Sequence, residues 1–147
     1  MHVFSEPLFA PRLLAGVTVG QLALAGLSAV AAGIHAWVVP EHYEEYALFG
    51  VFFAVIGLAQ AGWAVAVLRR PTRLLHIAGI ALSAGVLALW ALSRTAGVPI
   101  GPEAWETEPA ESLEVVAGVA ELGVIVVATL SLRRQPPASS SSVPPFR

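Results

Sequence analysis

The sequence predicts an all-α fold, a four-helix transmembrane bundle running up-down-up-down with both termini in the cytoplasm. Three observations carry that prediction. Apolar residues make up 56% of the chain and charged residues 12%, and mean hydropathy is +0.75, well outside the composition of a soluble domain. Apolar stretches run over residues 13–39, 46–68, 74–92 and 113–132, each at or near the roughly 20 residues that cross about 30 Å of hydrocarbon as a helix. Arginines fall on alternate sides of these stretches, which is the positive-inside pattern.

The first stretch follows Arg12 and ends near Pro40. Pro40 lacks the N–H that a first-turn position does not need, so it is expected to close the first helix and open the second in a tight hairpin. Glu41, His42, Glu44 and Glu45 then form an acidic turn on the outer side, favourably placed at a helix N-terminus. One rival reading takes Arg12, the apolar run and Ala29-Val30-Ala31 as a secretory signal with a small-residue cleavage site. The run continues to Val39, too long for an ordinary signal core.

The second stretch is followed by Arg69, Arg70 and Arg73, and the fourth by Arg133 and Arg134. The connection between the third and fourth carries Glu103, Glu106, Glu108 and Glu111, with Arg94 just before it and Gly97, Pro99, Gly101, Pro102 and Pro109 breaking any continuous helix. Residues 1–134 thus form one membrane domain, and 135–147 a disordered Pro/Ser-rich cytoplasmic tail. A proline-rich docking motif in that tail lacks a PxxP match. There is no cysteine, Lys, Asn or Asp, which excludes disulfides and thiol redox chemistry and fits the codon bias of a GC-rich genome.

Within the apolar stretches, polar and aromatic residues recur by sevens. Gln21, Ser28 and His35 lie in the first; Tyr46, Phe53 and Gln60 in the second; His76, Ser83 and Trp90 in the third; Glu114 and Glu121 in the fourth. A seven-residue repeat stays on one helix face, so each helix is expected to turn one marked side toward its partners. At about 1.5 Å of rise per residue, three layers emerge. His35, Tyr46, Trp90 and Glu114 lie near the outer surface; Ser28, Phe53, Ser83 and Glu121 near the midplane; Gln21, Gln60, His76 and Thr129 near the cytoplasmic side.

Glu121 weighs most, because an intramembrane carboxyl is costly and has a partner or a function. Its expected partners are Ser28, Ser83 and, one layer outward, His35. The candidate intramembrane polar site is therefore Glu121, His35, Ser28, Ser83 and Glu114. The candidate inner polar layer is Gln21, Gln60 and His76. Arg94 and Trp90 are candidate anchors of the long outer loop, with Glu108 or Glu111 as the partner of Arg94. Trp37, Trp90 and Trp105 suit an outer aromatic belt and Trp63 an inner one. The basic residues beside His76 suit anionic lipid headgroups as well as topology.

His35, His42, Glu111 and Glu114 are the weak candidates for a metal site on the outer side. His35 and His76 differ in depth by about 20 Å on the helical rise, so they cannot clamp one haem between them, although a single-His haem is compatible. No cofactor is expected; metal or haem is the alternative. Small residues, Gly16-x-x-x-Gly20 with Ala23, Gly26, Ala29 and Gly33, and Gly57, Gly79, Gly118 and Gly123, favour close helix approach within the bundle or against another subunit or a second copy. The bilayer is the expected partner; nothing points to nucleic acid.

The segment Trp90-Ala-Leu-Ser93-Arg94-Thr95-Ala-Gly97-Val-Pro99-Ile-Gly101-Pro102, preceded by His35, His42, Phe53 and Gln60, resembles small four-span membrane proteins of high-GC Gram-positive bacteria. The resemblance implies the same topology and a bacterial plasma-membrane location, and it implies no catalytic residue. No nucleophile elbow, phosphate-binding loop, HExxH or dinucleotide fingerprint occurs. The expected function is that of a non-catalytic accessory or assembly protein. The alternatives are a small proton-linked transporter or channel subunit using Glu121 and His35, and a metal- or haem-binding membrane protein.

Overall fold

Apolar, helix-permissive sequence over four long stretches gives four α-helices in a computed structural model that describes residues 16–134: α1 (Val19–Glu45), α2 (Ala47–Arg69), α3 (Arg73–Thr95) and α4 (Ser112–Arg134). Each is long and apolar enough to cross a membrane, which is compatible with a multi-pass membrane protein. Arg12, the start of the first apolar stretch and the Pro/Ser-rich tail lie outside the described residues.

Local chemistry sets the helix ends. Thr18 caps α1 in a reciprocal box: its hydroxyl accepts from the Gln21 N–H at 3.2 Å while Gln21 Oε1 accepts from the Thr18 N–H at 2.9 Å. Thr72 caps α3 by accepting from the Leu75 N–H at 3.2 Å.

The first boundary corrects the expectation from sequence. Pro40 lies inside α1, which runs on to Glu45, and the turn into α2 consists of Tyr46 alone in an extended conformation. A proline interrupts a helix by removing one N–H and crowding the carbonyl four residues back. Here the His42 ring donates to the Val38 carbonyl at 2.9 Å, tying together the turns on either side of Pro40. Gly50 then packs on Tyr43 so closely that a Cβ would lie 2.4 Å from the tyrosine Cβ, which is how so short a turn closes.

Around the bundle the order is α2, α1, α4, α3: α1 packs along α2 and against α4, and α4 packs on α3. The contact between α2 and α3 is slight. It includes the Trp63 indole, which lies on Gly79 and donates to the Leu75 carbonyl at 2.8 Å. Trp63 is thus buried between helices and is not a member of an interfacial belt, because its N–H has found a partner inside. Trp37 and Trp105 are exposed.

The distribution of polarity is inverted relative to a soluble protein. Leu58, Leu74 and Val119 are among the most exposed residues, while Gln21, Ser28, His35, Gln60, His76, Ser83 and Glu121 are buried. An exterior of this kind is stable against hydrocarbon rather than water. The apolar core is small and lies toward the end of the bundle that carries Arg69, Arg73 and Arg133. It comprises Leu24, Ala25, Trp63, Ala64, Val67, Val124 and Ala128. At the opposite end, capped by residues 96–111, the helices leave a cavity.

Candidate functional site

The seven-residue stripes turn inward except at Tyr46, which is exposed in the turn between α1 and α2, and their side chains join where backbones do not meet. α2 and α4 stand diagonally across the bundle without close backbone approach. Gln60 spans the gap: its Nε2 donates to Glu121 Oε1. Its Oε1 faces the other way, toward His35 Nδ1 at 2.9 Å. Since an amide oxygen only accepts, the imidazole donates from Nδ1. Ser28 adds a bond from its hydroxyl to the Gln60 backbone carbonyl at 3.0 Å. One glutamine thereby links α1, α2 and α4 through three side chains, all of them buried.

This geometry revises the expected layers. Gln60 does not sit with Gln21 and His76; it joins the outer-layer His35 to the midplane Glu121. The cause is the continuation of α1 through Pro40, which sets His35 ten residues inside the helix end, about 15 Å at the usual rise, deeper than a helix ending at Val39 would allow. The length of the Gln and Glu side chains closes the remaining distance. Glu121 has Gln60 as its partner rather than the hydroxyl of Ser28 or Ser83. Ser83 is buried on α3 but is not joined to this network.

Gln21 and His76 act separately, near the opposite end. Gln21 Nε2 donates to the Val67 and Leu68 carbonyls at 3.2 and 3.3 Å, satisfying acceptors at the C-terminal end of α2 that have no partner within the helix. His76 donates from Nδ1 to the Thr72 carbonyl at 2.8 Å. Between these residues and the Gln60 network lie Leu24, Val67, Val124 and Ala128.

On the other side of the network is a cavity of about 400 Å³. His35, Phe53, Leu87 and Gly118 line its deeper part and Phe49, Phe52 and Val86 its walls. The phenyl ring of Phe53 lies between two imidazoles, with ring centres 5.7 Å from His35 and 4.3 Å from His42. Pro99 and Ile100 of the long connection cover the top, and Gly101 lies on Phe49 with room for no Cβ.

Arg94 fastens this cover. Its guanidinium pairs with Glu108 of the connection and with Glu114 of α4, and its side chain is 12% exposed. Trp90 Nε1 donates to the same Glu114 at 3.4 Å, and the Glu111 N–H donates to it at 3.1 Å. Of the two expected partners of Arg94, Glu108 is engaged and Glu111 is not; Glu114 takes that place because it sits in the first turn of α4, facing the end of α3. Glu108 also donates its N–H to the Ser93 carbonyl at 3.3 Å.

These pairings leave the sequence-derived metal candidates apart. Glu111 is exposed, Glu114 is engaged by Arg94, and among the described residues no three His, Asp or Glu side chains converge. The small residues divide. Gly57, Gly79 and Gly123 receive neighbouring helices, whereas Gly26 and Gly33 have open space beside them and Gly16 precedes α1 in a left-handed conformation.

Comparison with protein-family models, with curated proteins and with solved structures found no match.

Proposed function

We propose that this chain is a non-catalytic accessory or assembly protein of a bacterial plasma membrane, spanning it up-down-up-down with both termini in the cytoplasm. The orientation is supported by Arg69, Arg70, Arg73, Arg133 and Arg134 at the ends of α2, α3 and α4, since basic residues are retained on the cytoplasmic side. The acidic turn at Glu41 to Glu45 and the 96–111 connection then lie outside.

One observation carries the structural role: Glu121 is buried and bonded by Gln60, which His35 holds from its other side, and the bundle on its cytoplasmic side is filled by Leu24, Val67, Val124 and Ala128. Polar groups bonded to one another across a bundle fix which helix faces meet. A proton path would need acceptors through that apolar layer. The second reading, a proton-linked transporter or channel subunit, draws on His35, which meets Gln60 on one side and the cavity on the other.

The test is Glu121→Gln. A glutamine retains an oxygen that accepts from Gln60 Nε2, so folded yield, helicity and melting temperature should stay close to those of the parent protein. The parent should be colourless and metal-free by optical spectroscopy and elemental analysis. A Soret band or stoichiometric metal that disappears in His35→Ala would replace this reading with a cofactor-binding one.

A further inference from the structure

The Gln60 network does more than join helices, because it fixes the face that His35 turns to the cavity. With Gln60 Nε2 donating to Glu121, Gln60 Oε1 is the atom beside His35, and His35 donates from Nδ1. An uncharged imidazole that donates from Nδ1 keeps its lone pair on Nε2. That nitrogen has no hydrogen-bond partner among the described residues, while His35 lines the cavity. The cavity carries His42, Ser93, Arg94, Glu108 and Glu114 toward its outer end, while its deep part, walled by apolar and aromatic side chains, holds the single oriented acceptor of His35.

The cavity's surroundings define how a molecule would reach that acceptor. The connection 96–111 covers it from above and is held there by Arg94. The slight contact between α2 and α3 leaves a side opening between their halves nearest the connection, where the cavity-lining Leu48 and Leu89 are also exposed on the bundle exterior. A molecule entering by that side would come from hydrocarbon, which selects a lipid-soluble one. A volume of about 400 Å³ falls in the range of sites for small organic ligands. The rings of Phe49, Phe52 and Phe53 favour a flat or cyclic body.

We propose that this cavity is a binding site for a lipid-soluble phenol or related cyclic alcohol, whose hydroxyl donates to His35 Nε2 while its apolar tail extends between α2 and α3 toward the bilayer. The hydroxyl replaces no water-exposed interaction, because the molecule arrives from lipid; a hydrogen bond made in so apolar a setting discriminates well against an analogue that cannot donate. A carbonyl or ether oxygen offered to the same atom meets lone pair with lone pair. The proposal goes beyond the accessory role and does not depend on it.

A matched pair of probes tests it: 4-nonylphenol and its methyl ether, with the full-length protein in lipid nanodiscs and its histidines labelled with nitrogen-15. The expected result is saturable 1:1 binding of the phenol, about tenfold tighter than the ether, equivalent to about 1.4 kcal/mol. The Nε2 resonance of His35 should shift with the phenol and stay in place with the ether. His35→Ala should lower phenol affinity to that of the ether. Gly118→Phe, which builds a ring into the cavity from a position where a Cβ meets Leu87 no closer than 3.7 Å, should abolish binding of both. Equal affinity for the two probes overturns the proposal, as does a phenol that leaves the His35 resonance unmoved or binding that survives Gly118→Phe. If His35→Ala fails to fold, the comparison of probes on the parent protein decides.

Discussion

Gln60→Leu removes the hub of the network while keeping a side chain of similar size, and the structure says what is left behind. Glu121, 1% exposed, loses its donor, and the His35 ring, 5% exposed, loses its acceptor. Interhelical hydrogen bonds in membranes average about 0.6 kcal/mol in double-mutant cycles, so two account for about 1.2 kcal/mol. The larger cost is the orphaned carboxyl, at about 1–3 kcal/mol for a buried group left unpaired. The single variant should therefore lose about 2–4 kcal/mol. Adding Glu121→Leu removes the orphan, and Gln60→Leu/Glu121→Leu should recover about 1–2 kcal/mol of that loss. The assay is reversible unfolding in mixed micelles titrated with a denaturing detergent, followed by helicity. A double variant no more stable than the single would refute the claim that Gln60 and Glu121 satisfy each other.

Three further outcomes follow from the packing. Arg94→Ala should free the 96–111 connection at a cost of about 1–3 kcal/mol, between the values for exposed and buried ion pairs, and should raise its rate of proteolytic cleavage about tenfold or more; an unchanged digestion pattern would remove Arg94 from that role. Gly79→Ala should destabilise by about 1–3 kcal/mol, because the new Cβ would fall 2.3 Å from the Trp63 ring; an unaltered unfolding midpoint would show that the indole packs elsewhere. Trp63→Phe should cost about 1 kcal/mol for the bond to the Leu75 carbonyl, visible in the same titration, and a cost as large as that of Gly79→Ala would mean that ring packing, not the hydrogen bond, dominates there.

Much of the arrangement was legible in the residue order because two periodicities coincide. Four stretches of spanning length and polar residues seven apart together place Gln21, Ser28, His35, Gln60, His76, Ser83 and Glu121 inside the helices. Depth was less legible. It depends on where each helix ends, and Pro40 misled because a proline's intrinsic effect was outweighed by the packing of α1 along α2 beyond it. The partner of Glu121 was hidden for the same reason, since Gln60 reaches it only once α1 and α2 are aligned. Trp63 read as a belt residue because hydropathy cannot tell an indole facing headgroups from one seated on a glycine of the next helix. The cavity left no signature in the sequence at all: it arises from the divergence of α2 and α3, a property of the whole bundle.

The central claim is that Glu121 is a fixed hydrogen-bond acceptor and not a carrier of protons. Liposomes containing the purified protein and a trapped pH-sensitive dye, challenged with a pH gradient and a potassium–valinomycin potential, test it most directly. The account predicts the same slow leak with the parent protein, with Glu121→Gln and with empty liposomes. A faster proton flux in the parent that is lost in Glu121→Gln, at equal reconstitution and unchanged stability, would contradict it.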